Sequence, residues 1–316
     1  MYFPVSGIEI SPLIPFIVAF VISFFTSMGG VSGAFLLLPF QVSVLGFVSP
    51  SASSTNLVYN IVAIPSGVYR YIREGRMAWP LAWVIIAGTL PGLLAGVIIR
   101  IKYLPDAKNF KFFIGCVLFY IAFRLLYDLT PWASKNKAKT LALEDRFKKS
   151  ARKNDGSPSD KVSGKPIKTI SFSITKYRYE FYGEEFSFNT IALFVLTLLV
   201  GLIGGIYGIG GGAIIAPFLI AVFGLPVYTI SGAALLGTFV TSVFGVLFYT
   251  LISPVFDYTG LSIIPDWKLG FIFGAGGFLG IYLGARFQKY FPAMMIKFIL
   301  GGVIMFLSLK YIINFF

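Results

Sequence analysis

Long apolar runs separated by short polar breaks organise this chain. Ten runs are read, five in each half. The first five are near residues 12–29, 33–47, 52–72, 79–100 and 109–129, and the second five near 188–207, 211–224, 229–252, 267–286 and 293–314. Most approach the roughly 20 residues that a helix needs to cross about 30 Å of hydrocarbon. The second run of each half falls short. Gly33 to Gly46 and Gly212 to Gly224 would span only about 20 Å as helices. They are expected to be half-length or re-entrant helices, or short tilted ones. Irregular backbone at that depth requires cover from protein or from a water-filled cavity.

The two halves repeat each other. Gly29-Gly30-Val31-Ser32-Gly33-Ala34, followed by Pro39-Phe40, returns 178 positions later as Tyr207-Gly208-Ile209-Gly210-Gly211-Gly212, followed by Pro217-Phe218. At the same offset Gly46 matches Gly224, Ser53 matches Ser231, Asn60 matches Thr238 and Gly67 matches Gly245. At an offset of 188, Trp79 matches Trp267, and Gly88, Gly92 and Gly96 match Gly276, Gly280 and Gly284. These triplets are spaced i, i+4, i+8, which predicts a tightly packed face on the fourth helix of each half. If all five segments of a half cross, the second copy inserts upside down. The fold expected is an all-α polytopic membrane protein of two inverted repeats, 8–10 segments in total, including short broken or re-entrant helices. Its membrane repeats are placed at 1–131 and 188–316.

Residues 132–187 interrupt the apolar pattern. Lys135 to Lys168 is polar and basic, a composition that reads as a flexible linker. Residues 169–188 differ. Ile170, Phe172 and Ile174, then Tyr177, Tyr179 and Phe181, alternate with polar residues, and Gly183 precedes Phe186 and Phe188. That period-two pattern predicts a small β-hairpin.

Composition agrees with a membrane chain. Hydrophobic residues make up 57% and charged residues 12%, about half the charge of soluble domains. The net charge is +13, and thirteen of the 26 Lys and Arg lie between Lys135 and Arg178. The apolar runs exclude a soluble nucleic-acid binder, so the charge reads as topology. It places the central loop in the cytoplasm and both termini outside, with the cell membrane as location. The first ten residues contain no Lys or Arg, so the first run reads as a retained helix, not a cleaved signal.

The chemistry on offer is narrow. Cys116 is the single cysteine and there is no histidine, which removes the commonest metal ligand and general base. No catalytic residue, metal site or cofactor is expected. The GxGxxA around Gly208 follows an apolar helix instead of a strand, so it is not a dinucleotide fingerprint. Arg70, Arg100, Arg124, Asp128, Arg286 and Lys297 fall near segment ends, where snorkelling to the interface accounts for them.

What remains are hydroxyls, amides and backbone dipoles. Helix N-termini at the glycine breaks offer unpaired N–H groups and partial positive charge, which suit an anion. The candidate substrate-binding residues are Gly30, Ser32, Gly33, Ser53, Ser54, Thr55, Asn56 and Asn60 in the first half, and Gly210, Gly211, Gly212, Ser231, Thr238 and Thr241 in the second. Paired glycine-broken segments of this kind point to a transporter's binding site. The function read from the residues is secondary transport of a small anion by alternating access. An anion channel, or transport of another small polar solute, remains open. The partners are the small anionic substrate and the lipid bilayer, without nucleic acid, and a homodimer is compatible.

The run Gly208-Ile209-Gly210-Gly211-Gly212 with Pro217-Phe218, its weaker first copy, and two halves joined by a basic loop together resemble the sulfite exporter TauE/SafE family. That resemblance implies export of small sulfur-containing anions such as sulfite and sulfonates. The first copy departs from the pattern, with Ser32 and Ala34 in place of Gly210 and Gly212, and bulky Phe35 where Ala213 is small. The two half-sites are therefore expected to be unequal.

Overall fold

The computed structural model describes residues 1–28, 31–73, 75, 77–127, 129–130, 167–173, 175–181, 184–223, 225, 227–287 and 293–316. Five helices precede the central segment: α1 (Leu13–Met28), α2 (Ala34–Ser43), α3 (Pro50–Arg73), α4 (Trp79–Lys102) and α5 (Ala107–Tyr127). Five follow it: α6 (Thr190–Tyr207), α7 (Ile215–Phe223), α8 (Val227–Phe256), α9 (Trp267–Phe287) and α10 (Ala293–Ile313). The apolar runs thus became helices where they were expected. The short ones are shorter still, at 10 residues in α2 and 9 in α7, about 15 Å each.

Among the described residues, α4, α5, α6, α9 and most of α8 are long and apolar enough to cross a bilayer. Helix α3 has the length without the hydropathy. Its residues from Ser51 to Asn60 are all buried, so its serines and asparagines face protein, not lipid.

The glycine stripes set the directions of the helices. A Cβ at Gly88, Gly92 or Gly96 of α4 would strike α6, at Phe194 and Thr197, Leu198, then Leu202, in rising order. The two helices are therefore parallel. In the same way Gly276, Gly280 and Gly284 of α9 press on Phe16, Phe20 and Phe24 of α1, which runs parallel to α9. Each fourth helix packs on the first helix of the other half. The central pair is antiparallel, since Gly67 of α3 meets Leu235 of α8 while Gly245 of α8 meets Leu57 of α3. Helices α5 and α10 are antiparallel too, with Gly115 against Tyr311 and Gly301 against Leu126. Exchanging the halves maps α4–α6 onto α9–α1 and the other two pairs onto themselves, and since those two join corresponding helices antiparallel, the repeats are inverted.

The hairpin expected at 169–188 is a three-stranded antiparallel sheet, with β3 (Ile167–Phe172), β4 (Lys176–Phe181) and β5 (Glu184–Asn189) in that order. The apolar alternation slips phase between residues 174 and 177, and that slip is the extra turn, closed by Ser173 and Lys176. Tyr177, Tyr179 and Phe188 are buried against the helices. The Tyr179 hydroxyl lies 3.0 Å from Thr229 Oγ1. Burial raises both phenol pKa values, which keeps the sheet's inner face uncharged. A second, two-stranded ribbon, β1 (Tyr2–Phe3) with β2 (Ile8–Glu9), lies at the opposite end, where Ser6 bonds to Asp266.

Asn189 ends β5 and caps α6, its side-chain oxygen accepting from Ile191 N at 2.9 Å and Ala192 N at 3.0 Å. Asn189→Ala is expected to cost about 1 kcal/mol. A thermal melt in detergent measures this, and an unchanged melt would mean that the cap is redundant.

Candidate functional site

The second glycine motif is a loop, not a helix, from Gly208 to Ile214. Gly208 ends α6 in the left-handed conformation at φ +79°, and Gly210 repeats it at φ +80°. A side chain is strained at both positions. The loop is also crowded. A Cβ at Gly208 would meet Ser53, at Gly211 Thr89, and at Gly212 Ala234 and Thr238. Its neighbours Asn60, Thr89 and Thr238 sit near the midpoints of α3, α4 and α8, so the break lies deep between the halves.

Two asparagines of α3 hold it. Asn56 donates through Nδ2 to Ala34 O and Gly208 O, each at 3.0 Å. It therefore joins the first glycine break to the second. Asn60 donates through Nδ2 to Ile209 O at 2.9 Å and Ser242 Oγ at 3.2 Å, and accepts from Ser32 Oγ at 2.8 Å. Ser32 Oγ in turn accepts from Ala34 N at 3.3 Å. On the far side Thr241 Oγ1 accepts from Gly211 N at 3.0 Å. Thr238 sends its hydroxyl back to Ala234 O of its own helix. All these side chains are buried. The half-sites differ chemically, with amides on α3 facing hydroxyls on α8.

The structure brings together Ser32, Gly33, Ser53, Asn56, Asn60, Gly210, Gly211, Gly212, Thr238 and Thr241. Gly33 belongs to the first break, where a Cβ would meet Tyr59 and Ser23. Ser53 donates to Tyr207 O at 3.4 Å. Two hydroxyls of the same helix turn elsewhere. Ser54 donates to Ile263 O, and Thr55 accepts from Asp266 N, each at 2.8 Å. Both tie α3 to the segment leading into α9. Ser231 is buried on α8, about 10 Å along the helix from Thr238. Gly30 lies outside the described residues.

Three participants were not foreseen: Tyr207, Gln41 and Thr89. Pro39 has no N–H, so the Phe35 carbonyl one turn earlier is free of its helical partner. Tyr207 of the other half donates to that carbonyl at 2.7 Å. Tyr207 directly precedes the repeated glycines and Pro39 lies in the motif, so the pairing had a signal. Gln41 donates to Asn56 Oδ1 at 3.3 Å and its own Oε1 has no partner among the described residues. It is the one amide in its apolar run, which is also a signal. Thr89 carried none, because a lone threonine in an apolar helix is ordinary.

A cavity of about 390 Å³ opens where α2 stops short, at the end away from the three-stranded sheet. Ser43, Tyr311 and Asn314 line it with Lys108, Lys111 and Lys310. Tyr311 bridges Ser43 Oγ at 2.5 Å and Pro39 O at 3.2 Å, so α2 stands between this basic chamber and the glycine loop.

A model of the sulfite exporter TauE/SafE family matches residues 15–311. The chain belongs to that family. The match takes in both glycine motifs and every helix of the inverted pair, and it makes the protein a multi-pass membrane transporter associated with anion transport. Searches of curated proteins and of solved structures return no match.

The resemblance read from the glycine–proline motif therefore holds. One reading of the arginines needs correction. Arg100 does not reach the interface. It is fully buried at the end of α4, because its guanidinium turns back to the carbonyls of Leu104 and Val48. Arg286 is exposed and Arg70 half-buried.

Proposed function

We propose that this TauE/SafE protein exports a small sulfur-containing oxyanion or sulfonate by alternating access, with no catalytic step. The observation that carries the reading is the set of hydrogen bonds from Asn56 and Asn60 to the opposite half's glycine loop. These are the contacts that must exchange when α3 and the α1–α9 pair move against the α4–α6 pair. Because those pairs cross between the repeats 1–131 and 188–316, each moving unit draws helices from both. The segment 132–187 joins them on the cytoplasmic face of the cell membrane. Helices α2 and α7 direct their N-termini at the centre, where partial positive charge favours an anion. Ser32, Asn60, Gly211 and Thr241 are the groups that release their present partners and take up its oxygens.

Proteoliposome flux tests the function. Saturable sulfite or sulfonate efflux is expected, with sulfate, thiosulfate and chloride as competitors. Ohmic single-channel currents in a planar bilayer would instead favour a channel. No flux of any oxyanion would sink the reading.

The lysine chamber supplies a second test. A cleft lined by one sign of charge raises local counter-ion concentration. Lys111→Glu with Lys310→Glu is expected to raise the anion KM by about tenfold at low salt and to flatten its salt dependence. The maximal rate should change less. An unchanged KM at low salt would remove the chamber from the pathway.

A further inference from the structure

We infer that Arg100 and Tyr249 form an anion subsite at the end of the path away from the three-stranded sheet, where the guanidinium and the phenol bind a passing oxyanion. The inference rests on the transport reading above and adds the residues that recognise the cargo's charge.

A charged side chain inside a membrane protein is costly, and such residues pair with one another or mark a pathway. Arg100 is fully buried. No carboxylate among the described residues acts on it, and the only titratable group that does is Tyr249. Its Nη atoms donate to the carbonyls of Leu104 and Val48, and its Cζ lies 3.6 Å from the Phe110 ring centroid. Carbonyls and a ring orient a cation without neutralising it. Its Nε has no partner among the described residues.

Tyr249 makes the case a pair. It comes from the other repeat, on α8, and is also fully buried. It shares one buried apolar cluster with Val97 and Ile101, which flank Arg100 on α4, and its hydroxyl, beside Ser53, closes no hydrogen bond among the described residues. A phenol buried without a partner loses the hydration it had in water. Two orphaned donors, one carrying charge, thus sit together with no acceptor. A small oxyanion supplies both the acceptors and the missing negative charge. Arginine's planar fork suits sulfite or a sulfonate, whose oxygens are spaced for paired contacts. Ser53 links the subsite inward, since it touches Gly208 and donates to Tyr207 O. The subsite and the glycine loop are therefore consecutive stations on one path.

Tyr249→Phe separates this role from a structural one. The hydroxyl has no hydrogen-bond partner among the described residues to lose, so packing alone predicts a variant with unchanged melting, unchanged flux and unchanged anion affinity. The subsite predicts unchanged melting with a KM for sulfite raised by about tenfold, the loss of one hydrogen bond to a charged group. It also predicts a weaker sulfite-dependent rise in melting temperature, because a ligand bound to the native state stabilises it in proportion to its affinity. Arg100→Lys keeps the charge and loses the fork, so a smaller flux defect than in Arg100→Gln is expected. Wild-type KM and wild-type sulfite protection in Tyr249→Phe would overturn the subsite while leaving transport intact. A wild-type protein that neither carries sulfite nor is stabilised by it would overturn both.

Discussion

Leucine at Gly92 is expected to leave almost no folded protein in the membrane. Gly92 is the centre of the α4 stripe, and a Cβ there would fall within 3 Å of the Leu198 carbonyl and the Leu202 nitrogen of α6. Both obstacles are main chain, so no rotamer change can relieve them. Overpacking a core where side chains can yield costs about 1–3 kcal/mol. Here the helix pair must separate along its length, because Gly88 and Gly96 are equally close to α6. A loss above about 4 kcal/mol is expected, a large part of the 5–15 kcal/mol that holds a typical protein folded. Gly302→Leu on α10 is the control. Among the described residues nothing lies within 4 Å of the Cβ it would add, so its effect should stay within about 0.5 kcal/mol. Size-exclusion yield and melting in mild detergent distinguish them. If Gly92→Leu melts within a few degrees of the native chain, the α4–α6 packing described here is wrong.

Asn60→Leu is expected to lower anion flux per folded molecule by about a hundredfold, the equivalent of two hydrogen bonds to the moving loop. Leucine has nearly the same size, so the cavity term is small. What is lost is connection. The Ile209 carbonyl, the Ser242 hydroxyl and the Ser32 hydroxyl all meet at this amide. Each buried group left unpaired costs about 1–3 kcal/mol, so a lower melting temperature should accompany the flux defect. Thr238→Val offers a comparison at the duplicated position. Its hydroxyl returns to its own helix at Ala234 O, so a milder defect is expected. Flux must be normalised to folded protein, and Ser242→Ala should fall between the two. Full flux through Asn60→Leu would remove α3 from the pathway.

Much of this architecture was legible in advance for a physical reason. Lipid imposes a length and a hydropathy on each crossing segment, and both can be read one window at a time. The ten apolar helices among the described residues, with the two short ones, followed from that. Repeated glycines at i, i+4, i+8 then gave the packing faces, since in lipid close backbone approach needs small residues. Helix α3 is where a purely hydropathic reading weakens. Its buried serines and asparagines look too polar for a membrane until other helices surround them. The third strand of the sheet was missed because a one-residue phase slip is a faint mark within a basic segment.

Residue by residue, the candidate site was less legible. Ser53, Ser54 and Thr55 are adjacent and chemically alike, yet one touches the glycine loop and the other two hold the segment before α9. Helical geometry separates neighbours by about 100°, and only the packing partners say which direction is inward. Arg100 is the sharper case. Near a segment end a long cation ordinarily snorkels, but the carbonyls of Leu104 and Val48 and the ring of Phe110 draw this one inside.

The sequence by itself determined that this chain lies in a membrane, that it is duplicated, and where its helices break, because those properties depend on short windows and on self-similarity. Only the tertiary structure decided which amide meets which carbonyl. Asn60 and Ile209 are 149 residues apart, and their contact depends on how two inverted halves seat against each other, which no local pattern encodes.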